Sequence, residues 1–241
     1  MCFSVNVNIV KEELEDRYGA TLIDRDKYRP SYYYHAFAIP EMPVICSADP
    51  SHILVYKWGL IPSGTRDMQE AETIRSKTFN ARAESLNQKK AFSASLRSKR
   101  CIIPVKGFFE WQHTGREKLP WYIFSSENQI ISLAGLYDQW IFDKTGEVFN
   151  TFTIITTEAN ELLAEIHNSA KRMPAILESQ DEKLWLDKNA GEDEIREVLK
   201  PSGIEILKAH TVSPLVNDRM IDRNTEEVIK PYQYNIQGTL F

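Results

Sequence analysis

The sequence has few cysteines and no long apolar run. Its three cysteines, Cys2, Cys46 and Cys101, are an odd number with wide spacing and no CxxC pair, which argues against a disulfide framework and a zinc cluster. No apolar run is long enough to span a bilayer, and the first residues lack the basic and apolar regions of a secretory signal. These absences predict a cytoplasmic protein without membrane contact and imply no metal or organic cofactor.

The sequence also lacks an excess of positive charge, internal repeats and a Gly/Ser linker. The formal net charge of the 241 residues is -5, so any contact with nucleic acid must come from a local basic groove on an acidic protein. Proline and glycine are scattered through the chain and mark no domain boundary. We therefore predict a monomer with one domain over residues 1–230 and a C-terminal tail over 231–241.

Runs rich in β-branched and aromatic residues predict short strands at 31–39, 52–60, 100–105, 107–112, 120–126, 129–142 and 148–156. Turn residues at 113–115 and 143–146 predict hairpins between some of them. Helical periodicity appears at 11–19, 158–170, 179–187 and 190–200. The pattern indicates an α+β fold with a mostly antiparallel, curved or barrel-like β core flanked by helices.

Cys2 is the first candidate for chemistry. A small side chain after the initiator methionine normally allows Met1 to be removed, which leaves a free amine and a thiol on one residue. An aldehyde can condense with the amine to an imine, and the thiol can then close a thiazolidine ring on the same carbon. Both groups titrate near about 8 to 8.5, so reactive forms exist at neutral pH. The alternative is a small hydrophobic residue that starts a strand.

Three further positions carry candidate polar groups. Asn80 and Arg82 face the same side if residues 78–84 are extended, where Arg suits a phosphate and Asn a sugar or backbone oxygen; a solvated strand with an Arg–Glu pair is the alternative. Glu110 lies among aromatic residues that would raise its pKa and make it a usable acid or base, unless it faces water on an edge strand. His167, near a predicted helix end, can exchange a proton near neutral pH, although such a histidine is often a cap or core residue.

Five motifs occur together in one order: Cys2, Trp58-Gly59-Leu60-Ile61-Pro62, Asn80-Ala81-Arg82-Ala83-Glu84, residues 101–111, and His167 followed by Arg172-Met173-Pro174. In order and spacing the chain resembles the SOS response-associated peptidase (SRAP) family along almost its whole length. The resemblance implies a one-domain, β-rich protein that senses and shields abasic sites in single-stranded DNA. Cys2 would form a covalent thiazolidine with the ring-opened sugar, with associated lyase and self-peptidase activity.

The resemblance also implies roles for single residues. Asn80 would position the sugar and the N-terminus, Arg82 would bind the flanking phosphate, and Glu110 and His167 would move protons. Trp58 and Pro62, with Phe109, are candidate surfaces for base stacking, and a core position is the alternative for Trp58. Candidate phosphate contacts are Arg97, Lys99, Arg100, Lys171 and Arg172.

Two features depart from the family pattern. Family members commonly begin Met-Cys-Gly-Arg, whereas this chain has Phe3 and Ser4, so a phosphate-binding arginine beside the nucleophile is missing. The histidine usually stands one residue before Arg-Met-Pro, but here residues 168–171 intervene. His167 keeps its expected role only if this insertion loops outward.

The last residues, 236–241, resemble the short peptide with which bacterial proteins dock on the replication sliding clamp, and they predict anchoring through Gln237, Leu240 and Phe241. A C-terminal strand that merely packs its Leu and Phe is the alternative.

Two other enzyme classes would also use Cys2 as a nucleophile: a class II glutamine amidotransferase, and a cysteine peptidase acting on its own N-terminus. A non-covalent module for single-stranded DNA is the alternative without catalysis.

Overall fold

The computed structural model describes residues 2–115, 117–127 and 129–234. The strands are β1 (Ser4–Asn6), β2 (Thr21–Leu22), β3 (Tyr34–His35), β4 (Glu41–Cys46), β5 (Asp49–Trp58), β6 (Asn80–Arg82), β7 (Arg100–Val105), β8 (Gly107–Thr114), β9 (Glu117–Ser125), β10 (Ile131–Phe142), β11 (Glu147–Glu158), β12 (Arg172–Pro174), β13 (Ile176–Leu177) and β14 (Leu207–Thr211). The α-helices are α1 (Lys11–Tyr18), α2 (Met68–Arg75), α3 (Lys90–Ser98), α4 (Glu161–Ile166), α5 (Ser179–Leu186) and α6 (Glu192–Val198).

Five strands close into a barrel. β5, β4, β7, β10 and β11 follow one another as antiparallel neighbours, and a parallel pairing of β11 with β5 closes the ring. Their β-branched and aromatic side chains suit this pleated, buried surface, and Ile53, Ile103 and Leu133 are fully buried. The predicted α+β fold with a barrel-like, mostly antiparallel β core is confirmed.

One glycine permits the close packing of this barrel. Gly135 in β10 lies opposite Cys101 of β7 and Ile154 of β11. A Cβ atom at this position would come within 2.2 Å of the Ile103 side chain and 2.6 Å of the Thr153 carbonyl oxygen. No side chain larger than hydrogen fits here without movement of the neighbouring strands.

A second sheet, of five antiparallel strands in the order β14-β9-β8-β1-β3, carries the N-terminus. β1 lies next to β8, with Ser4 opposite Phe109 and Asn6 opposite Gly107. The predicted turn at 143–146 joins β10 to β11, and its Gly146 has a positive φ. The predicted turn at 113–115 is only partly correct, because His113 and Thr114 belong to β8 and pair with β9, whereas Gly115 follows the strand with a positive φ. The sheet therefore places the first residues of the chain directly beside β8.

The structure corrects two predicted elements and adds several, among them the barrel strand β4 and the helices α2 and α3. The predicted strand 31–39 contains only β3, because residues Ala36–Ala38 form a 3-10 turn. The predicted helix 158–170 is shorter, since α4 begins after its Asn160 cap and ends at Ile166. α2 and α3 were absent from the prediction, because polar or serine-rich sequences hide their periodicity.

Candidate active site around the second residue

Cys2 lies immediately before β1 and is completely buried. Burial raises the pKa of its thiol well above the usual range, and the negative charge of Glu110 acts in the same direction. The thiol is therefore protonated at neutral pH in the unprocessed chain. A group that withdraws a proton from it has to lie close by.

Hydrogen bonds between buried side chains fix the strand that follows Cys2. Ser4 Oγ lies 2.9 Å from the hydroxyl of Tyr33, and Asn6 Nδ2 donates to the hydroxyl of Tyr122 at 2.8 Å. Neither tyrosine was identified from the sequence, because their partners are distant along the chain. Buried polar groups that are fully paired hold one conformation, so the start of β1 is rigidly positioned.

Asn80 reaches Cys2 from the barrel. β6 runs parallel to β11, with Asn80 opposite Ile154. Asn80 Nδ2 donates to the carbonyl oxygen of Cys2 at 2.8 Å, while its Oδ1 is buried and accepts no hydrogen bond from any described residue. An unsatisfied buried acceptor is costly, so this oxygen is suited to receive a hydrogen bond from a substrate.

Glu110 is a buried carboxyl beside the same strand. It follows Phe109, the partner of Ser4 in the β1–β8 pairing, and its exposed fraction is 3%. Burial raises the pKa of Glu110 to about 7, because the ionised carboxylate loses its hydration. At neutral pH both protonation states are therefore populated, which suits a group that must give and take protons.

His167 directly follows α4 and faces Glu110, with its Nε2 3.9 Å from Glu110 Oε2. Its Nδ1 lies 2.8 Å from the carbonyl oxygen of Arg172. Since a carbonyl only accepts, Nδ1 carries a proton, and in the neutral ring Nε2 is the basic nitrogen on the side of Glu110. Burial lowers the pKa of His167, so the neutral ring prevails at neutral pH.

The four residues that separate His167 from Arg172 loop outward. His167 is buried, whereas residues 168–171 are exposed, and Lys171 adopts the left-handed conformation with φ 49°. The Asn168 side chain exchanges two hydrogen bonds with the backbone of His113, at 3.0 and 2.9 Å. The insertion therefore leaves the imidazole in the site.

The candidate DNA contacts divide into two groups. Arg82 is exposed and forms no hydrogen bond or ion pair with a described side chain, and Pro62 is half-buried; both stay predictions. The structure agrees with the core alternative for Trp58 and contradicts a phosphate contact by Arg100, because both side chains are fully buried. Trp58 donates to the Phe79 carbonyl, and Arg100 donates to backbone carbonyls such as that of Trp185, so neither can meet DNA.

Arg172 and Phe109 are also committed to the protein interior. The Arg172 guanidinium pairs with Glu84 and donates to the Thr156 carbonyl oxygen at 2.6 Å, and its exposed fraction is 9%. Phe109 is fully buried between Tyr33 and Tyr122. The structure contradicts a phosphate contact by Arg172 and base stacking by Phe109.

Another arginine lies near the position where the sequence lacks one. The Arg223 guanidinium covers the ring of Tyr33, 4.4 Å from its centroid, and Tyr33 contacts Ser4. The loop that carries Arg223 is tied to the same segment, because the Asn224 side chain accepts a hydrogen bond from the Tyr32 backbone at 2.9 Å. Sequence reasoning missed Arg223 because it lies more than 200 residues from Cys2.

Within the described ranges, no helix is long and apolar enough to cross a membrane, and no cluster of three or more histidine, cysteine or acidic side chains could hold a metal ion. The other two cysteines, Cys46 and Cys101, are free, buried and adjacent across the β4–β7 pairing. The described groups that can perform chemistry beside β1 are thus a thiol, an amide, a carboxyl and an imidazole. Chemically, such a set is able to provide a nucleophile and to exchange protons.

Comparisons with known proteins identify the family of this chain. The model of the family described as SOS response associated peptidase (SRAP) matches residues 1–219. Abasic site processing protein YoqW of Bacillus subtilis is 37% identical over 86% of this chain and 88% of its own length, and YoaM of the same organism is 38% identical over 80% and 82%. A crystal structure of a protein from Bacteroides thetaiotaomicron superimposes with a TM-score of 0.91 and 35% identity, covering 96% of this chain and all of that one.

The chain therefore belongs to the SRAP family.

The matched range ends at residue 219, whereas the described chain continues to Tyr234. Residues Pro231 and Tyr232 pair with the end of β14, through a bridge to Val212 and a 2.8 Å hydrogen bond to Thr211. The predicted boundary at residue 230 thus falls within a segment attached to the domain. The proposed clamp residues Gln237, Leu240 and Phe241 lie outside the described residues.

Proposed function

We propose that this protein processes abasic sites in single-stranded DNA, and that Cys2, freed by removal of Met1, captures the damaged sugar as a covalent thiazolidine. The observation that carries the proposal is the gathering of Cys2, Asn80, Glu110 and His167 around the first strand. The names of the relatives YoqW and YoaM, each an abasic site processing protein, support the substrate class.

The reaction has two bond-forming steps. The Cys2 amine attacks the aldehyde carbon of the ring-opened sugar, and loss of one water gives an imine. The Cys2 sulfur then adds to the imine carbon, and the thiol proton passes to the nitrogen. The product retains one new C–N bond and one new C–S bond, and the reaction releases one water. No oxidant or cofactor takes part in this balance.

Glu110 and His167 fit the proton transfers of this sequence. The Glu110 carboxylate accepts a proton from the Cys2 ammonium before attack, and its acid form protonates the departing hydroxyl. His167, donating after protonation at Nε2, supplies a proton to the sugar ring oxygen during opening. Asn80 holds the Cys2 carbonyl and offers its unsatisfied Oδ1 to the sugar. The site brings these groups together before the substrate arrives, which raises the effective concentration of the reactants.

Gel electrophoresis after denaturation tests the proposal. Protein with a mass-verified free Cys2 is mixed with a single-stranded oligonucleotide containing one abasic site, alongside Cys2→Ala and Cys2→Ser. We expect a heat-stable shifted band for the wild type alone, because only a 1,2-aminothiol closes the sulfur-containing ring. No band with the wild type, or an equally stable band with Cys2→Ala, contradicts covalent capture through Cys2.

Self-removal of Met1 is a second proposed activity, because a thiol, a carboxyl and an imidazole adjoin the N-terminal end of the chain. It predicts that Glu110→Gln retains Met1 when synthesised in a cell-free system without aminopeptidase, whereas the wild type loses it. Intact-protein mass spectrometry distinguishes the two forms. Equal retention of Met1 in both proteins assigns the cleavage to a separate enzyme.

Docking on the replication sliding clamp is proposed from the sequence of the C-terminal tail alone. The Leu240-Phe241 pair after Gln237 provides two apolar anchors for a hydrophobic cleft. Deletion of residues 237–241 should abolish binding to purified clamp in surface plasmon resonance, while crosslinking to a free oligonucleotide is unchanged. Unchanged affinity for the clamp after the deletion contradicts this proposal.

A further inference from the structure

An exposed aromatic side chain lies beside the proposed active site. Phe37 has an exposed fraction of 62%, the highest among the described aromatic residues. Its ring lies 5.5 Å from that of Phe3, 5.0 Å from that of Phe79 and 5.4 Å from that of His35, measured between centroids. One edge of the ring is therefore packed on aromatic neighbours while much of its surface remains open to solvent.

The neighbours of Phe37 connect it directly to the nucleophile. Phe3 follows Cys2 in the sequence, and Phe79 precedes Asn80, whose amide binds the Cys2 carbonyl. The backbone N–H of Ala36 also donates to the Phe3 carbonyl at 2.8 Å. Phe37 thus packs on the residues directly adjacent in sequence to Cys2 and to Asn80.

The backbone holds Phe37 in this outward position. Ile39 ends the Ala36–Ala38 turn in the left-handed conformation, with φ 52°, which is strongly disfavoured for a β-branched residue. The turn is closed by the Ile39 N–H donating to the Ala36 carbonyl at 2.9 Å, and by the Phe37 N–H donating to His35 Nδ1 at 3.3 Å. A strained turn that exposes an apolar ring in place of burying it indicates a binding role.

Positive charge accompanies the aromatic residues. Tyr33 and His35 lie on the same strand segment with ring centroids 6.3 Å apart, and the Arg223 guanidinium covers Tyr33. Arg223 and Arg219 are close enough that both contribute, after burial, to lowering the pKa of His35. A segment with an open ring at one end and arginines at the other matches the alternation of base and phosphate in a nucleic acid strand.

We propose that Phe37 is a stacking platform for the base of the nucleotide adjacent to the abasic site. This inference rests on the proposed function, because it gives a binding position to the nucleotide next to the sugar that Cys2 captures. Every base has a π-face, so the platform accepts any of the four bases. Trp58, the stacking residue expected from the sequence, is buried, and Phe37 takes its place on the surface.

A thermodynamic cycle tests the platform separately from covalent capture. Equilibrium binding is measured with oligonucleotides in which a tetrahydrofuran analogue, which has no aldehyde, replaces the abasic site. The first oligonucleotide keeps the bases on both sides of the analogue. Each of the others lacks one of these two bases, because a second tetrahydrofuran replaces that nucleotide. For the wild type, loss of the correct neighbouring base should weaken binding about 5-fold or more, at the lower end of measured base–aromatic stacking. For Phe37→Ala, loss of that base should have no further effect.

Two variants serve as controls for structure. Phe37→Trp should restore the dependence on the neighbouring base, and Ile141→Ala, which removes another exposed apolar side chain from the far hairpin, should leave it unchanged. The platform is overturned if Phe37→Ala shows the same dependence on the neighbouring base as the wild type. Failure of the proposed function has a different signature, because the wild type would then form no heat-stable product with an aldehyde-bearing oligonucleotide.

Discussion

Two fully buried cysteines of this protein lie in regions built on different principles. Cys101 lies in the barrel, opposite Cys46 and Gly135, and its surroundings are apolar. Cys2 lies at the start of the second sheet, beside Asn80 and Glu110. Burial raises the pKa of both thiols. The environment of Cys2 differs in the polar groups within reach, and these decide which thiol can perform chemistry.

The same difference runs through the two regions as a whole. The barrel strands bury many aliphatic side chains, such as Ile53, Ile103 and Leu133, and leave hardly any extra volume at Gly135. The site region buries Ser4, Asn6, Glu110 and His167, and two of these four side chains can ionise. The surroundings of Cys101 are thus mainly a packed core, whereas those of Cys2 include ionisable groups.

The largest expected effect separates the two thiols directly. Cys2→Ala should abolish the heat-stable product with abasic DNA, whereas the double variant Cys46→Ala/Cys101→Ala should form it at the rate of the wild type. Gel densitometry over time measures both. If a Cys46→Ala/Cys101→Ala protein with an intact melting transition forms no product, the distinction between Cys2 and the two barrel cysteines is wrong.

Glu110→Gln should slow crosslinking by about 10²-fold or more, because proton transfer by a positioned side chain typically contributes that much. The matched control is Glu117→Gln, which changes an exposed carboxylate at the turn end of the same β8–β9 hairpin and should leave the rate unchanged. Single-turnover kinetics give both values. Equal rates for Glu110→Gln and the wild type assign the proton transfers to another group.

Gly135→Ala should destabilise the protein by about 1–3 kcal/mol, the usual cost of forcing a methyl group into a filled core. Gly64→Ala is the matched control, because no heavy atom lies within 4 Å of its added Cβ and its φ is not positive. Urea denaturation compares the two variants. A Gly135→Ala protein as stable as Gly64→Ala would mean that the barrel has room at this position.

Stability should depend on pH through Glu110. Its carboxyl has an ordinary pKa of 4.5 in the unfolded chain and about 7 in the folded protein, so the folded state holds an extra proton between these values. The contribution is therefore greatest below pH 4.5 and is lost as the pH rises through about 7. Between pH 4.5 and about 7, the melting temperature of the wild type should fall relative to that of Glu110→Gln. Above pH 8, the difference between the two melting temperatures should stay constant. A constant difference from pH 4.5 to 8 rules out a raised pKa.

The smallest expected effect concerns Arg82. Arg82→Ala should reduce the salt dependence of binding to single-stranded DNA by about 0.7 in the slope of log K against log salt, the value for one phosphate contact. Lys144→Ala, in the exposed turn between β10 and β11, should leave the slope unchanged. Equal slopes for Arg82→Ala and the wild type remove Arg82 from the phosphate path.

The sequence predicted those features that depend on local patterns. Alternating and β-branched residues identified most long strands, and motif order indicated the family that the comparisons confirm. Trp58 and Arg100 were misplaced because a charged or aromatic residue in a motif looks the same whether it faces solvent or donates to a buried carbonyl. Tyr33, Tyr122 and Arg223 were missed because their contacts with the site exist only after distant segments fold together.

The outward loop at residues 168–171 makes the length of this segment independent of the position of the His167 side chain. Within the loop, the Asn168 side chain is hydrogen-bonded to the backbone of His113. The His167 side chain is held separately, by the Arg172 carbonyl oxygen and by its position at the end of α4. Because surface loops absorb added length at small entropic cost, this segment can vary in length and charge without displacing the imidazole. Selection can thus alter the surface formed by residues 168–171 while the buried imidazole of His167 keeps its position.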